Sequence, residues 1–146
     1  MNYMEIRKVI RAGKKTVEAI SGLLPQLTAD ADRFTMEALR SIVASKGVSL
    51  FLAEDEAGHV VGMLTLAAYQ TPTGLKMWIE DVVVEAGSRG KGYGKELMLF
   101  AIGYARSSGA QVISLTSRPA RIAANELYSS LGFKKYETNF YKYQLG

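Results

Sequence analysis

Seven consecutive residues, Arg89, Gly90, Lys91, Gly92, Tyr93, Gly94 and Lys95, hold the densest chemical information in the chain. They join the apolar, β-branched run Val82-Val83-Val84 to the amphipathic run Glu96-Leu97-Met98-Leu99-Phe100-Ala101. A strand-to-helix turn of this kind aims several backbone N–H groups, and the positive end of a helix, at one point in space. That point suits an anion, most often phosphate. Glycines at 90, 92 and 94 carry no Cβ, so the backbone can wrap closely around a ligand. Arg89, Lys91 and Lys95 add positive charge. A glycine-rich connection beside a solvated basic face would give the same local pattern, so the turn alone is a weak signal. Other groups able to do chemistry are the carboxylates of Glu80 and Asp81, and the amide and phenol of Asn125 and Tyr128, three residues apart and so on one helical face. His59 is the only histidine and sits in a polar connection. With no cysteine the chain has no thiolate nucleophile and no disulfide, and no metal site is expected.

Two familiar phosphate loops fail on spacing. A Walker loop needs a glycine four intervening residues ahead of Gly-Lys-Ser/Thr; Arg89 stands there, and Glu96 replaces the hydroxyl. A dinucleotide fingerprint needs a third glycine where Lys95 or Leu97 stands. The pattern that fits is Arg-x-x-Gly-x-Gly, opening at Arg89 five residues beyond Val84. It resembles the acetyl-CoA pyrophosphate loop of the Gcn5-related N-acetyltransferase (GNAT) superfamily. Ile79-Glu80-Asp81-Val82-Val83-Val84 is similar to that family's central strand, and Val112-Ile113-Ser114-Leu115-Thr116-Ser117 to its next strand. Ala123-Ala124-Asn125-Glu126-Leu127-Tyr128, followed by Leu131-Gly132-Phe133, is similar to its later helix and exit. The chain departs from the pattern at Gly87-Ser88, where an acidic-aromatic pair is common.

The resemblance implies acetyl transfer from acetyl-CoA, as co-substrate, to a primary amine by direct transfer in a ternary complex. Backbone N–H groups of residues 89–95 would hold the cofactor phosphates; hydrogen bonds to charged groups are worth about 1.5–3 kcal/mol each. An N–H near Val83 or Val84, with Val82 beside it, would polarise the thioester where the family's strand is distorted. Asn125 would bond the cofactor arm. Tyr128 would protonate the departing thiolate: phenols titrate near ~10 and thiols near ~8.5, so a phenol holds the proton that the leaving group needs. Glu80 is the candidate base for an amine that is otherwise protonated at neutral pH. On a regular strand it shares a face with Trp78 and Val82, opposite Asp81; a surface ion pair would place it equally well. Asp81 reads as structural. Trp78, Tyr69, Phe34 and Met36 could line an acceptor pocket or pack in the core. Arg118 and Arg121 could meet outer phosphates, an acidic acceptor, or solvent.

These groups need elements to position them. Tyr3 to Val9 alternates and reads as an opening strand. Val17, Ile20, Leu23 and Leu24 form a helical stripe that Pro25 stops. Thr35 caps a second helix carrying Met36, Leu39, Ile42 and Val43, with Gly47 as its stop. Strands follow at 48–53, 60–69 and 75–84, the first two joined by the polar hairpin 54–59. Beyond the glycine turn, Leu97, Phe100, Ala101, Tyr104 and Ser108 share a helical face that Gly109 ends. A strand at 111–117, a helix at 120–131 and a hairpin of two short strands at 133–145 complete the chain. The expected fold class is α/β, a mixed central sheet flanked by helices. The resemblance adds that the sheet is splayed between the strands at 78–84 and 112–117, as in the GNAT (acyl-CoA N-acyltransferase) fold.

At 146 residues the economical organisation is one domain, 1–146. Hydrophobic content of 48% with 22% charged residues is ordinary for a globular protein. No apolar run approaches the ~20 residues of a membrane span, and the start lacks a secretory pattern, so no membrane partner and a cytoplasmic location are expected. The net charge of +4 is scattered apart from the glycine turn, which argues against nucleic acid. The acceptor is expected to be a small-molecule amine. A peptide acceptor (a protein α-amino group or lysine) and a non-catalytic acyl-CoA sensor are the alternatives. Asp30 and Asp32 could attract a cationic amine or cap a turn, and an edge strand near the C-terminus offers a homodimer contact.

Overall fold

A computed structural model describes residues 4–29 and 33–146. Tyr3, expected to open the first strand, and Asp30 and Asp32 lie outside the described residues. The chain divides into two compact units, Met1–Leu115 and Thr116–Gly146.

The first unit is a five-stranded sheet in the order β1-β2-β3-β4-β5, with β1 Met4–Lys8, β2 Val48–Asp55, β3 Val60–Thr71, β4 Gly74–Val84 and β5 Val112–Ser114. The first four strands are antiparallel and β5 runs parallel to β4, because a helix rather than a hairpin joins those two. The hairpin between β2 and β3 is closed by Asp55, whose Oδ1 accepts from the N–H groups of Ala57 at 3.0 Å and His59 at 2.9 Å. Such a turn is one that Asp makes readily.

Helices α1 (Lys14–Leu23) and α2 (Met36–Ala44) cover one face. A 3₁₀ turn at Leu24–Gln26, with Pro25 inside it, follows α1. Thr35 caps α2 as its spacing predicts, its Oγ1 accepting from Ala38 N–H at 3.1 Å. Ile20, Leu23 and Leu39 bury against Val9, Leu50, Leu52, Met63 and Val83. Helix α3 (Tyr93–Ser107) covers the opposite face. Phe100 and Tyr104 of α3 meet Phe51 edge-on at 4.9 and 5.0 Å, and Leu97 lies over Gly62. A Cβ at Gly62 would fall 3.0 Å from the Val83 carbonyl and 3.1 Å from Leu97 Cδ1, so the absent side chain lets the helix close on the sheet. With helices on both faces, Val61, Met63, Leu64 and Leu66 are all buried.

The second unit contains α4, Ile122–Ser130. Two expectations are corrected around it. The strand expected at 111–117 is only Val112–Ser114. The expected hairpin at 133–145 does not form, and these residues adopt neither helix nor strand. Its aromatic residues suit a half-covered pleated surface, but Tyr136, Phe140, Tyr141 and Tyr143 are exposed and no partner strand pairs with them. The edge strand offered as a dimer contact is therefore absent from the described residues. No described helix is long and apolar enough to cross a membrane.

Candidate active site

The feature that shapes the site is a break in the β3–β4 ladder. Thr65 pairs with Glu80 and Met63 with Val83, so Asp81 and Val82 together oppose Leu64. This is a β-bulge, and Asp81 holds it open in the left-handed region at φ +52°, the sole non-glycine residue there among those described. Asp tolerates that conformation better than most residues because its short side chain can bond locally. The bulge corrects one expectation. Paired residues point to one face, so Val83, not Val82, joins Trp78 and Glu80 on their side of the sheet. Val83 is buried in the core beneath α1 and α2, whereas Glu80 and Asp81 are exposed.

On its other edge β4 pairs with β5 only over Lys76–Trp78. Residues 79–84 continue past the end of β5, and their outward N–H and C=O groups meet no strand among the described residues. The sheet is thus open where Glu80, Val82, Val83 and Val84 lie.

The chain then turns through a short 3₁₀ segment, Ala86–Ser88. Glu85 N–H still bonds Val61 C=O at 2.8 Å, and the buried Ser88 donates its hydroxyl to Glu85 Oε2 at 3.1 Å, which firms the base of the turn. Gly90 (φ +84°) and Gly92 (φ +82°) carry the backbone through the left-handed region into α3. Open space lies above both. Gly92 is the N-cap of α3 and supplies no side-chain acceptor. The first helical N–H groups, on Tyr93, Gly94 and Lys95, have no carbonyl within the helix to meet. Among the described residues, the N–H groups of Gly90, Lys91 and Gly92 meet no acceptor either. Six donors at the positive end of a fifteen-residue helix form a cradle that could hold an anion such as a pyrophosphate.

The side chains around the cradle divide in role. Lys91 and Lys95 are exposed and have no acidic partner among the described residues. Tyr93 is buried, so it can serve a ligand only through its backbone. Arg89 is engaged elsewhere: its Nη2 donates to Gln26 Oε1 at 3.0 Å and its Nε to Val84 C=O at 3.4 Å. Nothing in the sequence pattern marks Gln26 as a partner of the turn.

Asn125 and Tyr128 belong to the second unit. Asn125 Nδ2 donates to Arg118 C=O at 2.9 Å, which fastens the segment before α4 to its first turn. Its Oδ1 has no hydrogen-bond partner among the described residues. Tyr128 is 8% exposed, with its ring edge-on to Phe133 at 6.1 Å. Its hydroxyl has no hydrogen-bond partner among the described residues, yet it is not fully enclosed. A nearly buried phenol with an accessible, uncommitted O–H can give up a proton to a ligand. Ser117 Oγ is buried with no hydrogen-bond partner among the described residues.

His59 is exposed and lies 3.7 Å from Asp55 Oδ2, as its hairpin position implies. The described residues include no group of three metal-binding side chains. A surface hollow of about 350 Å³ between β1, α1 and the β2–β3 hairpin is lined by His59 but by none of the residues expected to bind the cofactor or to catalyse.

Residues 19–133 match the model of the acetyltransferase (GNAT) family. The uncharacterized N-acetyltransferase YhdJ of Bacillus subtilis (strain 168) is 41% identical over 61 residues, 41% of this chain and 43% of that protein. The L-methionine sulfoximine/L-methionine sulfone acetyltransferase of Pseudomonas paraeruginosa (strain DSM 24068 / PA7) is 30% identical over 92 residues, 62% of this chain and 54% of that protein. The chain therefore spans about half the length of these curated relatives. In fold, it superposes with a TM-score of 0.86 on the aminoglycoside acetyltransferase meta-AAC0020 from an uncultured soil metagenomic sample, at 16% identity and covering 98% of this chain and 97% of the other. The bulged strand, the glycine cradle and the helix behind it all fall within the matched span, and the chain belongs to the acetyltransferase (GNAT) family.

Proposed function

We propose that residues 1–146 act as one domain that moves the acetyl group of acetyl-CoA to a primary amine of a small molecule, directly, in a ternary complex. The observation that carries this reading is the cradle of unpartnered N–H groups at the start of α3, directly after a bulged strand whose edge is open. When bound, acetyl-CoA supplies the activated thioester. The N–H groups of residues 90–95 hold its pyrophosphate, with Lys91 and Lys95 adding charge, and Arg89 acts through the shape of the turn. The kinked backbone at Val82, Val83 and Val84 supplies an N–H for the thioester oxygen, where charge develops as the amine attacks. Glu80, exposed beside the kink, accepts the amine's proton directly or through water. Tyr128 donates a proton to the leaving sulfur, and Asn125 Oδ1 accepts from the cofactor arm. The acetyl group passes to nitrogen as the carbon–sulfur bond breaks, and the products are an acetamide and CoA thiol.

A small-molecule acceptor is supported by the relative that acetylates L-methionine sulfoximine or L-methionine sulfone. We place the protein in the cytoplasm. The test is acetyl-CoA-dependent thiol release across a panel of amino acids, polyamines, aminoglycosides and short peptides, with Tyr128→Phe beside the wild type. Turnover on a small amine, lost in the variant, is expected. Turnover on peptides alone would replace the acceptor class. Tight acetyl-CoA binding with no turnover on any amine would make the protein a sensor.

A further inference from the structure

The arginine that opens the glycine motif does not face the cradle as a free cation. Its guanidinium spans two separate pieces of chain, Gln26 at 3.0 Å and the Val84 carbonyl at 3.4 Å. Val84 is the last residue of β4, and Gln26 ends the 3₁₀ turn that follows α1. One side chain therefore ties the strand end, the glycine turn and the α1–α2 connection together. The planar fork of arginine suits this, since its donors keep fixed directions once one of them is engaged. Pro25 lies in the same 3₁₀ turn and limits the backbone freedom of the segment that presents the amide. Gln26 is neutral, so it holds the guanidinium without cancelling its charge. A carboxylate at 26 would hold it too, but would remove the net charge beside an anion site.

We propose that Gln26 is a positioning residue for the glycine turn. Through Arg89 it keeps the N–H groups of residues 90–95 convergent, and it links occupation of that cradle by a pyrophosphate-bearing ligand to the order of the turn Leu24–Gln26. The linked part rests on the reading that the cradle binds the CoA pyrophosphate. Linkage is reciprocal: a ligand that favours the tied arrangement of the glycine turn also favours it in the turn Leu24–Gln26.

Two measurements on the whole protein test this. The first is amide hydrogen exchange without ligand, following peptides that cover residues 85–95 and 22–29 in wild type, Gln26→Ala, Gln26→Glu and Arg89→Lys. Gln26→Ala and Arg89→Lys should both speed exchange in both segments, and Gln26→Glu, which still accepts from Arg89, should keep the wild-type rates. Unchanged exchange in Gln26→Ala would overturn the positioning role, whether or not the protein binds CoA. The second is titration with CoA. Gln26→Ala and Arg89→Lys should each weaken binding by about three- to tenfold, the effect of losing one ordinary hydrogen bond. The double variant should be no weaker than either single one, because both remove the same tie. Losses that multiply would overturn the coupling. No CoA binding by the wild type would remove the functional reading and the linkage with it, and the exchange rates would still decide the positioning role.

Discussion

Gly92 and Gly109 form a matched pair at opposite ends of α3. They sit at φ +82° and +81°, and neither has any atom within 4 Å of where a Cβ would lie. Replacing either with glutamate meets no steric obstacle, but forces an L-residue into the left-handed region at a cost of about 1–2 kcal/mol. For a chain of this size each kcal/mol lowers Tm by about 3–4 °C. The helix dipole separates the two variants: a carboxylate at the N-terminus of α3 gains about 0.3–1 kcal/mol, and one just past its C-terminus loses a similar amount. Gly92→Glu should therefore be the more stable variant. Binding should run the other way. A unit charge about 5 Å from a phosphate interacts with it by roughly 1–3 kcal/mol at effective dielectrics between those of a protein surface and water. A pyrophosphate carries more than one charge, so the loss reaches about 100-fold or more. Thermal melts and CoA titration by calorimetry give both quantities from the same samples. The expected result is that Gly92→Glu melts higher than Gly109→Glu yet fails to bind CoA, while Gly109→Glu binds like the wild type. A folded Gly92→Glu with undiminished affinity would falsify the assignment of the cradle.

Tyr128→Phe should lower kcat by about 10²–10⁴-fold, the usual contribution of a proton donor. It should leave Tm almost unchanged, since the hydroxyl gives up no hydrogen bond among the described residues; a matching fall in stability would show that the hydroxyl serves the fold and not the proton transfer. Phe51→Ala, at a residue 1% exposed and wedged edge-on against Phe100 and Tyr104, should cost about 3–5 kcal/mol in urea unfolding. Gly62→Ala should cost about 1–3 kcal/mol by the same measurement, because its methyl group must displace Leu97 or the Val83 carbonyl. A stabilised Gly62→Ala would mean that α3 can lift from the sheet at little cost.

Much of the first unit is legible in the sequence because its determinants are local. Thr35 caps α2, Pro25 ends the α1 stripe, and a polar connection, four residues long rather than the expected six, closes the β2–β3 hairpin, each through groups a few residues apart. The glycine cradle is legible for the same reason: its donors, its left-handed residues and its helix are contiguous. The bulge is not. Asp81 is one acidic residue in a strand until β3 is laid beside it, and only the pairing shows that two residues face one and that Val83 replaces Val82 on the side of Glu80. The Arg89–Gln26 bond joins positions 63 residues apart, beyond the reach of any spacing rule. The failure at 133–145 has the opposite cause. Phe133, Tyr136, Phe140, Tyr141 and Tyr143 carry strong strand propensity, but a strand exists only with a neighbour, and propensity cannot supply one.

The bulge also has a genetic dimension. Thr65↔Glu80 and Met63↔Val83 are already in place on either side of it, so the ladder is regular except for one surplus residue. An in-frame deletion of the Asp81 codon would let Val82 meet Leu64 while leaving both flanking pairs, the buried Val83 and the start of the glycine turn in register. It would also remove the left-handed residue. The kink can thus be taken out of the strand without redrawing the core around it. A deletion variant would therefore ask of the whole protein a question that substitutions at Asp81 cannot: what the chain can still do when its fold is kept and its irregularity is gone.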